Sequence, residues 1–240
     1  MGQMIMMARK RFSGLRDRCC VRGGSVLGLF VVSALAFGGC ATRSLEPTNL
    51  DAHKREIRSY VKTGAYAKDL EQVAAEAKQW IAHRIESRKP HERLVVVFDL
   101  DETLFLNWSR IDASDFTYIH ADWNRWVAEA SAPAIKPIHD VYRFARRNDL
   151  EVWFITGRPE RHRESTEANL RHIGCEDYAE LICAPENREG SAAVFKAAAR
   201  KRINDEGRII IANLGDQQSD LAGGYAERAF KLPNPFYLTD

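Results

Sequence analysis

Two aspartates directly follow an apolar run near the middle of the sequence. The run at residues 95–98 is Val-Val-Val-Phe, and after it come Asp99 and Asp101 with only Leu100 between them. In an extended chain, side chains two positions apart point to the same side, so both carboxylates and Thr103 should converge. Two carboxylates at close range repel each other, which raises the pKa of one unless a cation lies beside them. The motif therefore calls for a metal ion, a lysine or arginine, or both; the alternative is a helix cap next to a solvated acid.

Two later apolar runs, at residues 151–155 and 208–212, also end in polar residues. Open parallel sheets bind ligands beyond the carboxyl ends of their strands, so these residues should join the two aspartates at one edge. Four carboxylates without a histidine favour a hard divalent cation with oxygen ligands, Mg²⁺ before Zn²⁺. The residues that follow the two runs and should lie at this edge are Thr156, Asp216 and Asp220.

Extended and helical patterns alternate along the chain and would create this shared edge. The predicted strands are 94–98, 151–155, 181–184, 208–212 and 229–232, and the predicted helices are 65–86, 137–148, 159–172 and 191–205. This order predicts an α/β fold, a three-layer α/β/α sandwich with helices on both faces of a mainly parallel sheet. Residues 105–134 are rich in aromatic side chains and are predicted to form a small cap insert after the first strand.

The first 39 residues have the features of a secretory signal. Six lysines and arginines fall within the first 22 residues, and an apolar stretch at residues 26–37 is too short to span a bilayer comfortably. The Gly-Gly-Cys that follows resembles the lipobox of bacterial lipoproteins. This predicts a signal peptide at 1–39, lipidation of Cys40, a polar tether at 40–56 and a folded domain at 57–240. The alternative is an uncleaved membrane anchor.

Removal of the signal changes the charge of the protein. Lysines and arginines fall from 35 to 29 and acids from 33 to 32, so the formal net charge moves from +2 to −3. Charge therefore gives no support to nucleic-acid binding. The two cysteines left in the domain, Cys175 and Cys183, are expected to be buried free thiols in preference to a disulfide.

The three strand-end motifs together resemble those of the haloacid dehalogenase (HAD) superfamily of phosphotransferases. The motifs are Asp-x-Asp-x-Thr, Thr-Gly-Arg-Pro and Gly-Asp-x-x-x-Asp, in that order along the chain. The stretches Y-V-K-T-G-A-Y-A-K-D-L, W-V-A-E-A-S-A-P-A and F-K-L-P-N-P-F-Y are similar to subfamily IIIB, the branch with plant acid phosphatases and vegetative storage proteins. The resemblance covers residues 57–238 and implies an HAD-like Rossmannoid fold and a Mg²⁺-dependent acid phosphatase.

The resemblance also implies a role for each matching residue. Asp99 would be the nucleophile that forms an aspartyl-phosphate, and Asp101 would protonate the leaving oxygen and then activate water. Thr156 and the N–H of Gly157 would hold phosphate oxygens, and Lys196 would offset the negative charge. Lys196 is favoured over Lys201 and Arg200 because the family carries an aromatic-Lys pair at this point.

The same resemblance implies a Mg²⁺ site formed by Asp99, the Asp101 carbonyl and Asp216, with Asp220 orienting Lys196 or a bound water. Thr103 and Arg158 are expected to contact substrate, although an arginine at such a position is as often a surface ion pair.

The expected partners are a phosphomonoester, with nucleotides stacked on the insert's aromatic residues as one candidate, and a membrane reached through a lipid on Cys40. Because alanine follows the cysteine, the expected location is the bacterial cell envelope, at the outer membrane facing the periplasm. Two alternatives remain at this level. One is a signalling receiver domain, and the other is a surface lipoprotein that binds phosphorylated ligands with little or no turnover.

Overall fold

All five strands run parallel in one sheet, in the order β3-β2-β1-β4-β5. The computed structural model describes residues 46–239, so the predicted signal peptide and the lipidated Cys40 lie outside the described residues. The strands are β1 (Arg93–Phe98), β2 (Glu151–Pro159), β3 (Glu180–Ala184), β4 (Arg208–Gly215) and β5 (Ala229–Lys231). Since β1 lies at the centre and is covered on both faces, its sequence is a continuous apolar run.

Helices pack on both faces of the sheet and complete three layers, as predicted. They are α1 (Leu50–Lys62), α2 (Ala65–Glu86), α3 (Trp108–Ala113), α4 (His120–Glu129), α5 (Lys136–Arg147), α6 (Arg163–His172), α7 (Ala192–Asp205) and α8 (Gln218–Leu221). Val96 and Phe98 of β1 enter the larger core, which includes residues of α2 and α5. Val95 and Val97 enter a smaller core with residues of α7. Because alternate side chains of β1 are buried on opposite faces, the carboxyl end of the strand is held firmly.

The insert after β1 contains α3 and α4 and is closed by backbone contacts at its base. Phe105 and Ala134 form an antiparallel bridge. The Leu106 N–H donates to the Pro133 carbonyl at 2.8 Å, and the Ile135 N–H donates to the Leu104 carbonyl at 2.8 Å. Both ends of the insert are therefore fixed beside the carboxyl end of β1.

The predicted tether extended too far into the domain. Helix α1 begins at Leu50, so residues 50–56 are helical. The Asn49 side chain caps this helix by accepting hydrogen bonds from the N–H groups of Asp51 and Ala52, at 2.9 and 3.3 Å. Such a cap satisfies backbone donors that would otherwise lack partners, which explains why a polar segment is helical here.

The predicted helix start at Pro159 is also wrong. Strand β2 continues to Pro159, which pairs in register with Ala184 of β3. A single 3-10 turn at Glu160–His162 follows, and α6 begins only at Arg163. The φ of −68° that proline imposes is compatible with an extended chain as well as with a helix, and here ψ is 159°. The residues after Ile155 are therefore presented from an extended strand end.

Two further features concern the cysteines and the membrane. Cys175 and Cys183 are buried and free, as the sequence predicted. Within residues 46–239, no helix has the combination of length and apolar character needed to cross a membrane.

Candidate active site

Three buried aspartates meet at the carboxyl edge of the sheet. Asp99 follows β1 and its N–H donates to the Leu214 carbonyl of β4 at 2.9 Å. Asp216 follows β4, and Asp220 lies in α8. Each of these three residues offers a carboxylate oxygen, and these oxygens all lie within 4.8 Å of one another. The edge predicted from the apolar runs thus exists.

Gly215 is required for this close approach of α8 to β4. A Cβ added at Gly215 would lie 2.3 Å from the Cβ of Asp220, a separation that side chains do not adopt. Asp220 is then held by the Gln217 N–H, which donates to its Oδ2 at 2.7 Å. Glycine at this position allows the acid to fold back over the strand end.

Lys196 of α7 is the cation at the cluster. It is 5% exposed, and its Nζ donates to Asp99 Oδ1 at 2.5 Å and also to Asp220 Oδ1. Burial alone lowers the pKa of Lys196, but the charges of Asp99 and Asp220 raise it overall, so the side chain stays protonated. The two competing cations lie elsewhere: Lys201 pairs with Asp205 on the surface, and Arg200 donates to backbone carbonyls around α8.

One lysine does not balance three carboxylates, and this imbalance fits a cation site. Burial, and then the charge of Asp220, raise the pKa of both Asp99 and Asp216. With all three acids ionised beside Lys196, the group would carry two uncompensated negative charges in a buried place. A divalent ion with oxygen ligands would neutralise that charge, so the residues present fit Mg²⁺.

Asp216 is oriented by three donors. The Thr103 hydroxyl donates to its Oδ1 at 3.1 Å, while Gln217 Nε2 and Asn234 Nδ2 donate to its Oδ2 at 2.6 and 2.7 Å. Thr103 is completely buried and does not line the cavity described below. The expectation that Thr103 contacts substrate is therefore corrected: its hydroxyl holds a carboxylate of the cluster.

The sequence-based prediction assumed an extended chain through Thr103, but the chain turns after Leu100. The N–H groups of Leu104 and Phe105 both donate to the Leu100 carbonyl, at 2.8 and 2.7 Å. Glu102 in this turn has a left-handed backbone with a φ of 54°. The turn directs the side chains of Asp99, Asp101 and Thr103 to different partners, although all three remain near the strand end.

Asp101 is paired with Arg158 rather than placed within the three-aspartate cluster. Arg158 Nη2 donates to Asp101 Oδ1 at 2.6 Å and Nε donates to Oδ2 at 2.9 Å, which is a two-point contact. Burial raises the pKa of Asp101, but the charge and hydrogen bonds of Arg158 lower it overall. The resemblance assigns the backbone carbonyl of Asp101, not this carboxylate, to the Mg²⁺ site, and the pairing with Arg158 is compatible with that assignment.

Arg158 is not the surface ion pair that its position suggested. It is 3% exposed, and its guanidinium lies 5.0 Å from the centre of the Phe105 ring and 5.8 Å from that of Trp123. The backbone N–H of Arg158 donates to the Thr156 hydroxyl at 3.1 Å. Thr156 is fully buried and does not line the cavity, so the expectation that its side chain holds a phosphate oxygen is corrected, and its hydroxyl accepts the Arg158 N–H instead. The neighbouring Gly157 is exposed and does line the cavity.

Sequence reasoning missed several polar residues that support the site. Glu102 is fully buried, and burial, followed by the charge of Asp101, raises its pKa to about 8. It accepts the Asn107 N–H at 2.8 Å and the Tyr237 hydroxyl. Asn234 also supports the site, because its side-chain amide donates to Asp216. The sequence offered a signal for two of these residues, because Glu102 lies within the D-L-D-E-T motif and Asn234 within L-P-N-P. No local pattern pointed to Asn107 or Tyr237.

A cavity of about 480 Å³ opens above the three aspartates. Lys196, Asp101 and Arg158 lie at its inner end, as do Asp99, Asp216 and Asp220. Its walls come from the insert, from the loop after β3 and from the carboxyl-terminal segment. The wall residues that provide aromatic or basic side chains are Arg110, Phe116, Tyr118, His120, Trp123, Arg161, His162, Arg188, Phe236 and Tyr237. The cavity is larger than a phosphate group, so it has room for the remainder of an ester.

A covered parallel sheet with acids after its first and fourth strands, and a buried lysine between them, defines a phosphotransferase of the HAD type. The model of the family described as HAD superfamily, subfamily IIIB (Acid phosphatase) matches residues 40–240. The chain belongs to this family.

Individual relatives agree with this assignment. The chain is 31% identical over 186 residues to Acid phosphatase 1 of Solanum lycopersicum, which covers 75% of this chain and 72% of the relative. It is 29% identical over 147 residues to Vegetative storage protein 1 of Arabidopsis thaliana, covering 60% of this chain and 54% of the relative. The Class C acid phosphatase of Bacillus anthracis shares the fold, with a TM-score of 0.64 and 16% identity over 78% of this chain and 86% of that one.

The comparisons confirm three of the sequence-based predictions: the family, the α/β fold and the enzyme class, a phosphomonoester hydrolase of the acid phosphatase type. Membership in this family excludes the receiver-domain alternative. The alternative of a ligand-binding lipoprotein without turnover is not favoured.

Proposed function

We propose that this acid phosphatase is Mg²⁺-dependent and acts through an aspartyl-phosphate formed on Asp99. The observation that carries the proposal is the contrast between two acids only two residues apart. Asp99 lies against Lys196 in the three-aspartate cluster, whereas Asp101 is paired with Arg158. Different environments for neighbouring carboxylates support different roles in one reaction.

Asp99 is suited to attack phosphorus. Its Oδ1 accepts a hydrogen bond from the Lys196 ammonium. Within residues 46–239 its Oδ2 accepts no hydrogen bond, so this oxygen remains available to bond to phosphorus. In the first step Asp99 forms the new bond to phosphorus and the bond to the leaving oxygen breaks. Lys196 remains beside the reacting oxygens and offsets their charge. This reaction depends mainly on alignment and charge neutralisation.

Asp101 is suited to handle the proton. It would donate a proton to the leaving oxygen, then take one from the water that attacks the phosphorus of the aspartyl-phosphate, releasing Asp99 and phosphate. In the structure Arg158 lowers the pKa of Asp101, so the acid role requires the negative charge of the substrate phosphate to offset Arg158. The N–H of Gly157, exposed at the end of β2, would bind a phosphate oxygen, with Thr156 supporting this strand end.

Mg²⁺ would be held by Asp99, Asp216 and the Asp101 carbonyl, with Asp220 close by. When bound, it supplies positive charge at the phosphate and at the cluster. Thr103 and Asn234 orient Asp216 for this purpose.

The aromatic residues of the cavity walls support a narrower substrate class within the proposal. Tyr118 and Trp123 of the insert have ring centres 6.5 Å apart, and Tyr118 is largely exposed. These aromatic faces could stack on a base, so nucleoside monophosphates are the proposed substrates among phosphomonoesters. A panel of nucleoside monophosphates and sugar phosphates at equal concentration tests this; equal kcat/KM for both groups would contradict it.

The proposed mechanism is tested with Asp99→Asn in the purified protein. Hydrolysis of an aryl phosphate should fall to background, rapid-quench trapping should detect no phosphoenzyme, and chelation of the wild type should abolish turnover until Mg²⁺ is restored. Asp205→Asn is the matched control, because Asp205 is exposed and, within residues 46–239, pairs with Lys201 on the surface. Normal turnover of Asp99→Asn would refute the mechanism, and phosphate binding by an inactive wild type would favour the lipoprotein that binds without turnover.

Cellular location is proposed from the amino-terminal sequence alone. The basic start, the apolar stretch at residues 26–37 and Gly-Gly-Cys40 support a lipid anchor in the bacterial envelope, at the outer membrane. Mass spectrometry of the mature amino terminus should detect acylated Cys40. An intact, unmodified Met1 on the membrane-associated protein would contradict this.

A further inference from the structure

Asn107 connects the insert to the acid that handles the proton. It is completely buried and lies at the junction of Asp101, Glu102 and Trp126. Its Nδ2 donates to Asp101 Oδ1 at 3.0 Å and to Glu102 Oε2 at 3.2 Å. Its Oδ1 accepts the indole N–H of Trp126 in α4 at 2.8 Å. The side-chain amide therefore uses its oxygen and both donor directions.

Trp126 determines which way the Asn107 amide points. An indole nitrogen can only donate a hydrogen bond, so the atom of Asn107 that faces it must be the oxygen. The amide NH₂ then necessarily faces the two carboxylates. The position of Asn107 is fixed in addition by its backbone N–H, which donates to Glu102 Oε1 at 2.8 Å.

The consequence for Asp101 is a third point of attachment. Arg158 contacts both oxygens from one side, and Asn107 adds a donor to Oδ1. Arg158 reaches Asp101 from β2 and Asn107 reaches it from the start of the insert, so donors on two chain segments restrict the carboxylate more than the guanidinium alone. Small displacements of a reacting group are costly for catalysis.

We propose that Asn107 is a positioning residue for Asp101 and that Trp126 orients it, so that the insert acts on proton transfer as well as forming a cavity wall. The proposal rests on the function proposed above. It assigns no contact with substrate to either residue.

The test compares Asn107→Ala and Trp126→Phe in the purified full-length protein on an aryl phosphate and an alkyl phosphate. Proton donation matters chiefly for poor leaving groups, and such assistance is typically worth about 10²–10⁴-fold. We expect Asn107→Ala to lose about 10- to 100-fold in kcat/KM on the alkyl phosphate, less than the full assistance because Asp101 is still present, and less than about 3-fold on the aryl phosphate. Trp126→Phe should show the same pattern with smaller losses, again larger on the alkyl phosphate than on the aryl phosphate. The phosphoenzyme should persist longer in both variants, because its hydrolysis needs the same carboxylate.

Trp80→Phe is the matched control. Trp80 lies on α2, away from the cavity, and its indole N–H donates to the Ile211 carbonyl at 2.7 Å. Trp80→Phe therefore also loses a partly buried indole hydrogen bond. It should leave the ratio of the two rates unchanged. If Asn107→Ala does not fold, Trp126→Phe decides the question by itself, since it retains an aromatic ring in place.

Equal losses on both substrates with an unchanged phosphoenzyme lifetime would overturn the proposal and leave Asn107 a purely structural role. Unchanged rates in Trp126→Phe would overturn the orienting role of Trp126. Failure of the underlying mechanism has a different signature, because Asp99→Asn would then retain turnover. If Asp99→Asn is inactive and Asp101→Asn separates the two substrates but Asn107→Ala does not, only this inference fails.

Discussion

Replacement of Lys196 by methionine is the most direct test of the buried charge cluster. Methionine keeps much of the length of the side chain but removes the ammonium that contacts Asp99 and Asp220. The two carboxylates would remain buried, at 6% and 3% exposure, without their cation. Breaking a buried ion pair from one side typically costs about 3–5 kcal/mol, because the remaining charge is uncompensated.

That cost should be visible as a change in melting temperature. For a domain of this size, each kcal/mol lowers the melting temperature by about 2–4 °C, so a loss of about 3–5 kcal/mol predicts a decrease of about 6–20 °C. The measurement is thermal unfolding by circular dichroism with a chelator present, so that no divalent ion replaces the lost charge. Lys201→Met on the same helix is the control; Lys201 is exposed beside Asp205, and its loss should cost less than about 1 kcal/mol.

The pH dependence of the stability that Lys196→Met loses gives a second check. Burial and the charge of Asp220 already raise the pKa of Asp99 in the folded protein, and loss of Lys196 removes an opposing effect. A carboxyl group whose folded-state pKa is raised favours the folded state below its unfolded pKa, and this contribution is lost as pH rises through the folded value. The difference between variant and wild type should therefore be smallest near pH 4, about the unfolded pKa of an aspartate, and larger at neutral pH.

The outcome that refutes this reasoning is specific. If Lys196→Met melts within about 2 °C of the wild type at neutral pH with a chelator, less than about 1 kcal/mol is involved and the cluster is not charged as described. An equal deficit at acidic and neutral pH would show that lost packing, not unpaired charge, causes the effect.

Three further predictions follow from the site and the core. Asn234→Ala removes a donor to Asp216 and should weaken Mg²⁺ binding by about 10- to 100-fold in calorimetry, since second-sphere partners typically have effects of this size; unchanged affinity would contradict its orienting role. Asp101→Asn should lose more activity on an alkyl phosphate than on an aryl phosphate and should prolong the phosphoenzyme in rapid-quench experiments, whereas equal losses would count against a proton-transfer role. Burial raises the pKa of Cys175 to about 12 and that of Cys183 to about 11, so iodoacetamide at pH 8 should leave both unmodified in the native protein and alkylate both in denaturant, as read by peptide mass spectrometry; rapid native labelling would show that this part of the core opens.

Local pattern accounts for what could be foreseen in the fold and site. The apolar run before Asp99 could be recognised as a buried strand because both faces of a central parallel strand are covered. The polar residues after each run could be assigned to one edge because parallel strands present their carboxyl ends together. Asp99, Asp216 and Asp220 were located by these two arguments. The choice of Lys196 needed the family resemblance, since helical spacing alone did not separate it from Lys201.

The pairings within the site depended on tertiary structure. Asp101 and Arg158 are 57 positions apart, and their contact arises because β1 and β2 are neighbours and the chain turns after Leu100. An i, i+2 rule assumes an extended chain, so it could not foresee that this turn sends Thr103 to Asp216.

The sequence alone therefore determined which strands would carry acids and to which edge, because strand patterns are local. The tertiary structure decided which acid receives which cation, and which buried amide is oriented by Trp126. Those contacts join residues that are distant in sequence, and their geometry depends on how the insert and the carboxyl-terminal segment close over the sheet.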